Sequence, residues 1–264
     1  MPNPSPDSSP AEFRAAVRKG LYDGPTPGFC PGYAQANLVI LPREFAFHFL
    51  LFCQRNPKPC PILEVLEEGL YEPRLTAPGA DLRTDLPRYR VWREGELIGE
   101  PTQVRELCGE GMVSFLVGCS FSFEEALLQA GVPVRHIEEK VNVPMYRTNR
   151  DCLSAGPFKG PLVVSMRPLP ADQVAKAVTV TERFPAVHGA PLFIGGAKEL
   201  GIEDLDKPDF GDPVTIREDE IPVFWACGVT SSLAALAVKA ELTVTHAPGH
   251  MFVTDRLNRE VAGL

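Results

Sequence analysis

Apolar residues along this chain come in short solid runs, each handing over to a helical stripe. "VSFLVGC" (113–119) is an unbroken β-favouring run, the pattern of a central parallel strand buried on both faces. The residues after it read as a helix, with Ser122 as N-cap, Ser122-Phe-Glu-Glu125 as a capping box and Gly131 as the stop. "LVVSM", "ADQVAKAVTVTERF" and "AVHGAPLFI" repeat the order as strand, helix, strand, and "VFWACG", "VTSSLAALAVKA" and "LTVTHAPGHMFVTD" give strand, helix and a strand-turn-strand. Nearer the start, "AEFRAAVRKG" is amphipathic and ends at Gly20, while "PREFAFHFLLFCQRNP" is a helix with Pro42 near its first position and Pro57 as its stop. "LPRYRVWREGELIGEPTQV" alternates and turns at Glu94-Gly95, a hairpin.

Strands alternating with helices of this length predict an α/β fold. "FLVGCSFSFEEALLQAG" and "VFWACGVTSSLAALAVKA" echo each other, each with a cysteine at the carboxyl end of a strand. Ligands of open α/β sheets sit at that end. The pattern predicts a discontinuous main α/β domain, 11–131 and 214–264, around a smaller α+β domain at 132–213. Residues 1–10, rich in Pro and Ser, read as a disordered tail.

Composition removes several function classes. Hydrophobic residues make up 44%, enough for a substantial core, and the net charge of −8 comes without a basic stripe. That argues against nucleic acid and anionic membrane surfaces as partners. The 27 prolines are about twice the usual share and are spread along the chain, which predicts rigid loops. The seven cysteines form no C-x-x-C pair, the usage of a reduced, cytoplasmic protein. The opening "MPNPSPDSSP" lacks the basic and apolar regions of a secretory signal. The 18-residue uncharged run from Ile221 has a membrane helix's length, but Pro222, Gly228 and Thr-Ser-Ser break it into core elements.

Candidate chemistry gathers at the turns. Cys119, Ser120 and Ser122 lie near a helix N-terminus, which favours a thiolate or an anion; a buried thiol and a plain cap explain the same residues. Cys227, Gly228 and Thr230 open a helix with no acid in its first turn, so its amides are candidates for a carboxylate or phosphate. His246 and His250 flank Pro248-Gly249, which forbids the helix a zinc pair would need and leaves an acid/base pair or two turn histidines. "NVPMYRTNRDC" reads as a polar loop, where Asn142, Tyr146, Arg147, Thr148 and Asn149 could bind an anion and Arg147 could grip a carboxylate with two bonds. Arg167 and His188 are further binding candidates. No Walker loop, G-x-S-x-G elbow or G-x-G-x-x-G is present. No cofactor and no metal are expected.

The stretches "PGYAQANLVILP", "FCQRNPKPCP", "APGADLRTDLPRYRV", "VGCSFSFEEALL", "VPMYRTN", "FPAVHGAP", "VFWACGVT" and "THAPGHMFVTD" resemble a bacterial hydro-lyase family over about 11–260. That family is similar to one domain of the mitochondrial D-glutamate cyclase. The resemblance implies a three-layer α/β domain with a smaller two-layer one inserted, and a lyase acting on a small acidic metabolite. Closing D-glutamate to 5-oxo-D-proline is such a dehydration. It needs a carboxylate anchor, a base for the amine and an acid for the departing oxygen. On this reading Arg147 and the helix at Thr230 hold carboxylate, His250 and His246 exchange protons, and the turn at Cys119 serves the oxyanion. Elimination from a hydroxy acid would use the same parts. A non-catalytic binder of an amino or hydroxy dicarboxylic acid is the alternative, and a homodimer is the assembly kept in view.

Overall fold

A computed structural model describes residues 3–262. It is a mixed α/β structure in which helices pack on two antiparallel sheets. The first sheet has the order β2-β5-β1-β10-β3-β4, from β1 (Tyr33–Pro42), β2 (Ile62–Val65), β3 (Tyr89–Arg93), β4 (Glu96–Gly99), β5 (Met112–Gly118) and β10 (Thr243–His246). β11 (Phe252–Leu257) pairs with the start of β1. The second sheet runs β6-β7-β9-β8, from β6 (Met145–Asp151), β7 (Pro161–Pro170), β8 (Phe193–Ile194) and β9 (Glu220–Ala226). The helices are α1 (Pro10–Arg18), α2 (Arg43–Arg55), α3 (Phe121–Gln129), α4 (Arg135–Glu139), α5 (Val174–Glu182) and α6 (Val229–Ala237).

The period-two pattern of β1 sorts the core of the first sheet. Ala36, Leu38 and Ile40 pack with Leu116 of β5 against Leu66, Tyr71, Leu82, Leu86 and Val104 from the irregular segments around β3 and β4. Val39 and Leu41 point the other way, with Val113, Phe115 and Val117, onto Phe49 and Phe52 of α2 and Ala234 and Ala235 of α6. Both faces of β1 and β5 are therefore covered, one of them by loop.

That cover explains a correction. The solid apolar run of β5 predicts a parallel strand, yet it pairs antiparallel with β1 and β2. A strand buried on both faces needs no alternation, whatever its direction. β5 and β9, expected in one sheet, lie in different ones: β9 pairs with β7 and β8. The expected polar loop around Arg147 is the strand β6, bonded to β7. "AVHGAPLFI" is not one strand, because His188 and Gly189 both have positive φ, and only Phe193–Ile194 pair. The Glu94-Gly95 hairpin forms as expected, both residues at positive φ.

The start of the chain also differs from expectation. Ser8 N donates to Ser5 O, Pro6 O accepts from Cys30 N, and Ser9 and Glu12 form a capping box on α1. Met1 and Pro2 of the expected tail lie outside the described residues. The uncharged run from Ile221 splits at Cys227-Gly228 into β9 and α6. No helix among the described residues is long and apolar enough to cross a membrane.

Candidate functional site

Where the two sheets meet, β3 and β10 of the first face β6 of the second, and α6 closes the gap. A cavity of about 260 Å3 opens there. Its polar wall is Arg90 and Trp92 from β3, Arg147 from β6, Ser232 from α6, and Thr245 and His246 from β10; Phe210, Val229, Leu233 and Leu236 add apolar surface. Strand pairing builds one side of it. Thr245 lies opposite Arg90 in the β3–β10 register, and Trp92 Nε1 donates to Thr245 Oγ1 at 3.2 Å.

Each guanidinium has an acidic neighbour. Arg90 Nε donates to Glu100 at 2.7 Å, while Arg147 stands 3.8 Å from Asp209 and packs over the Phe210 ring. Ser232 has a different history. A helical serine usually folds its hydroxyl back onto the carbonyl four residues earlier. Here that carbonyl, of Gly228, already accepts from Ser231 Oγ at 2.6 Å, and Ser232 Oγ is buried without a partner.

His246 is buried at the end of β10, and its ring takes over the next rung of the ladder to β1. Leu38 N donates to Nδ1 at 3.2 Å, with the Leu38 carbonyl farther away at 3.4 Å. The shorter contact satisfies a backbone N–H that has no other place to go in a buried strand, so Nδ1 is the acceptor and Nε2 carries the proton. Burial pushes the imidazole down to about 4, with smaller contributions from His250 and Arg90 in the same direction. The ring is neutral near pH 7. It offers the cavity a fixed N–H donor and is a poor proton acceptor.

Of the residues expected to form the site, only Arg147 and His246 line this cavity. A second group is buried around the end of β5. Ser120 Oγ accepts from Arg167 Nη2 at 3.0 Å, and Arg167, fully buried, also bonds Ser165 and Glu124 and lies over the Phe123 and Trp225 rings. Burial pushes the thiols of Cys119 and Cys227 up, the latter to about 11, so neither is a thiolate at neutral pH. His188 Nδ1 lies 2.9 Å from Lys58 O, and burial takes its ring down to about 4.

Others are occupied by the fold. Ser122 sits inside α3 rather than capping it, and its hydroxyl accepts from Gln35 N of β1 at 2.9 Å. Thr230 Oγ1 accepts from Val163 N, Thr148 Oγ1 donates to Leu162 O, and Tyr146 donates to Leu205 O. Gly228 is small because Asn37 fills the space: a Cβ there would stand 2.0 Å from Asn37 Nδ2. The start of α6 is therefore packed against Asn37 and β7, and its hydroxyls at 230 and 231 are taken. Asn142 Oδ1 accepts from Val143 N, Asn149 donates to Glu199 O at 3.3 Å, and His250 Nδ1 lies 2.9 Å from Pro248 O. Burial lowers the pKa of His250, but the residue does not line the cavity.

The sequence did not single out Arg90, Trp92, Glu124 and His136. Arg90 and Trp92 alternate on a hairpin strand, a pattern shared by any half-exposed strand. Glu124 reads as an acid in the first turn of a helix, where the dipole alone would explain it. Only tertiary contacts set these residues apart.

Comparison with known proteins shows the family of the chain. The D-glutamate cyclase family model matches residues 113–255. A protein of Syntrophobacter fumaroxidans is 61% identical over 256 residues, 97% of this chain and 98% of its own. A Geobacillus kaustophilus protein is 59% identical over 97% of both chains, and YcsI of Bacillus subtilis is 55% identical over 97% of this chain and all of its own. All three carry the name "Putative hydro-lyase". Among solved structures, a nitrogen repressor-like protein of Methanococcus jannaschii covers 95% of the chain at a TM-score of 0.39 and 8% identity, a likeness at which neither fold nor function transfers. At more than half identity across nearly the whole chain, the protein belongs to the D-glutamate cyclase family, beside its bacterial hydro-lyase members.

Proposed function

We propose that this chain is a lyase that dehydrates a small acidic metabolite in the cavity between β3, β10, β6 and α6. Closure of D-glutamate to 5-oxo-D-proline is the reaction its wall suits best. One observation carries the reading: two arginines, the neutral Nε2–H of His246 and an unpartnered Ser232 hydroxyl belong to one small cavity. Arg90 and Arg147 would hold the two carboxyl groups of the substrate, each capable of two parallel bonds. His246 and Ser232 would donate to the oxygen that gains charge when the amine adds to the γ-carboxyl carbon. A neutral imidazole is the better partner there, because it polarises the oxygen without having to lose its proton.

Ring closure makes a C–N bond and breaks a C–O bond, and overall two protons of the substrate's ammonium leave with one γ-carboxylate oxygen as water. The nucleophile belongs to the substrate, so the wall has mainly to position it and stabilise charge. Elimination from a hydroxy acid would need a base aimed at a C–H bond. The cavity wall consists of guanidiniums, hydroxyls, an N–H donor and apolar groups, a poor set for that task.

The two sheets are proposed to mark two units, with the inserted one extending to Ala226. The pairing of β9 with β7 and β8 supports that boundary over one at 213. The test of function is a proton NMR time course with D-glutamate and a panel of amino and hydroxy dicarboxylic acids. Signals of 5-oxo-D-proline should grow from D-glutamate. Vinylic signals from a hydroxy acid, with D-glutamate inert, would replace cyclisation by elimination. No turnover of any member would overturn the reading.

A further inference from the structure

Another cavity, of about 160 Å3, lies between the loop 28–33 and α3, and it shares no lining residue with the arginine cavity. Its wall includes Glu124, a carboxylate only 2% exposed. All of that carboxylate's bonds fall on one oxygen. Oε1 accepts from Arg167 Nε and Nη2 and stands 3.0 Å from His136 Nε2. Oε2 accepts no hydrogen bond among the described residues. Burial pushes the carboxyl up, but the neighbouring His136 and Arg167 outweigh it and hold the group below its ordinary value, so it stays ionised.

Asn258, on the same wall, shows the same asymmetry. Its Nδ2 donates to Glu125 Oε2, while its Oδ1 is buried without a partner. Several donors around the cavity are spent elsewhere. Phe29 N donates to Thr26 O, Cys30 N to Pro6 O and Tyr33 N to Cys30 O; Gln35 Nε2 donates to the Thr26 and Phe29 carbonyls. Phe29, Tyr33 and Phe121 contribute rings to the wall. A buried acceptor without a partner, Asn258 Oδ1, beside a carboxylate oxygen with no bond of its own calls for a ligand that donates, and aromatic faces beside a carboxylate favour one that is also a cation.

We propose that this cavity binds a protonated primary ammonium group, with Glu124 Oε2 and Asn258 Oδ1 as its acceptors and the rings of Phe29, Tyr33 and Phe121 around it. The ammonium could be the free ion or the head of a small amine, and both offer the same N–H donors. The site stands whether or not the arginine cavity is catalytic.

Isothermal titration of the whole chain, with sodium chloride exchanged to keep ionic strength constant, separates the cases. Ammonium or methylammonium chloride should give a saturable isotherm, the tighter of the two naming the source, and tetramethylammonium, which has no N–H, should give none. Glu124→Gln should weaken binding at least tenfold. Because that change also disturbs Arg167, two others accompany it. Asn258→Leu removes one acceptor, and Leu128→Trp, on a rim residue that is 46% exposed, puts an indole beside the cavity. Both should lose binding while keeping the wild-type urea midpoint. Heat no different from the sodium control, or wild-type affinity in both Asn258→Leu and Leu128→Trp, would overturn the proposal.

Discussion

His246 is committed to one job by a single backbone amide. With Nδ1 held by Leu38 N–H, the ring can present only an N–H donor to the cavity. His246→Ala should therefore lower kcat about 10²–10³-fold, the usual effect of losing one preorganised donor. His246→Gln, which restores an N–H, should recover part of it, and steady-state kinetics on the three proteins decide. The same burial has a consequence for stability. His246 and His188 titrate near 4 in the fold and near 6.5 when exposed, so the unfolded chain binds their protons first. Their contribution is fully present above about pH 6.5 and is lost as pH falls toward 4. Urea midpoints measured across that window should fall less steeply in His188→Gln than in the wild type. The residue scale is also where the sequence says least. Arg147 and His246 could be named as candidates from side-chain chemistry alone. Nothing in their neighbours' order announces that Arg90, 57 positions before Arg147 and 156 before His246, completes the cavity with them.

At the scale of elements, the α6 N-terminus illustrates how a signal can be right about structure and misleading about ligands. Small and hydroxyl residues at 228–232 do start a helix. They are small because Asn37, bonded to the Val117 and Gly118 carbonyls, occupies the space in front of Gly228. Gly228→Ala would drive a methyl into that amide and should cost about 1–3 kcal/mol, an overpacking penalty read from urea unfolding. Gly118→Ala should behave similarly, since its Cβ would stand 2.1 Å from the Ala186 carbonyl. Wild-type midpoints in both would mean that these contacts are looser than drawn. Helix positions, the Glu94-Gly95 hairpin and the strand-turn-strand of β10 and β11 were legible, because period and turn residues are local. Strand direction was not. An apolar run such as β5 is the same whether its neighbours run with it or against it, and only the covering loops 66–86 and 104–108 reveal why it is uniformly buried.

Across the whole molecule, the two sheets are tied by charge as well as by packing. Arg167 of β7, in the second sheet, bonds Glu124 and Ser120 at the start of α3, which follows β5 of the first. Removing one partner leaves the other buried and unpaired, so Arg167→Leu should cost about 3–5 kcal/mol. Arg167→Leu with Glu124→Leu should recover much of that loss, and chemical denaturation of the single and double variants measures the coupling. The sequence echo puts cysteines at the ends of β5 and β9 and both strands in one main α/β domain. The molecule instead brings two sheets together, and the cavity forms along their seam, where β3, β6, β10 and α6 contribute a few residues each. The central claim is that this seam binds and dehydrates an acidic substrate. Its most direct test is the conversion of D-glutamate to 5-oxo-D-proline, followed by proton NMR in the wild type, Arg90→Met and Arg147→Met. The account predicts turnover by the wild type and a loss of kcat/KM of at least about 10-fold in each variant, roughly the value of a charge-assisted hydrogen bond, with urea midpoints preserved. Turnover by both variants at the wild-type rate would contradict it.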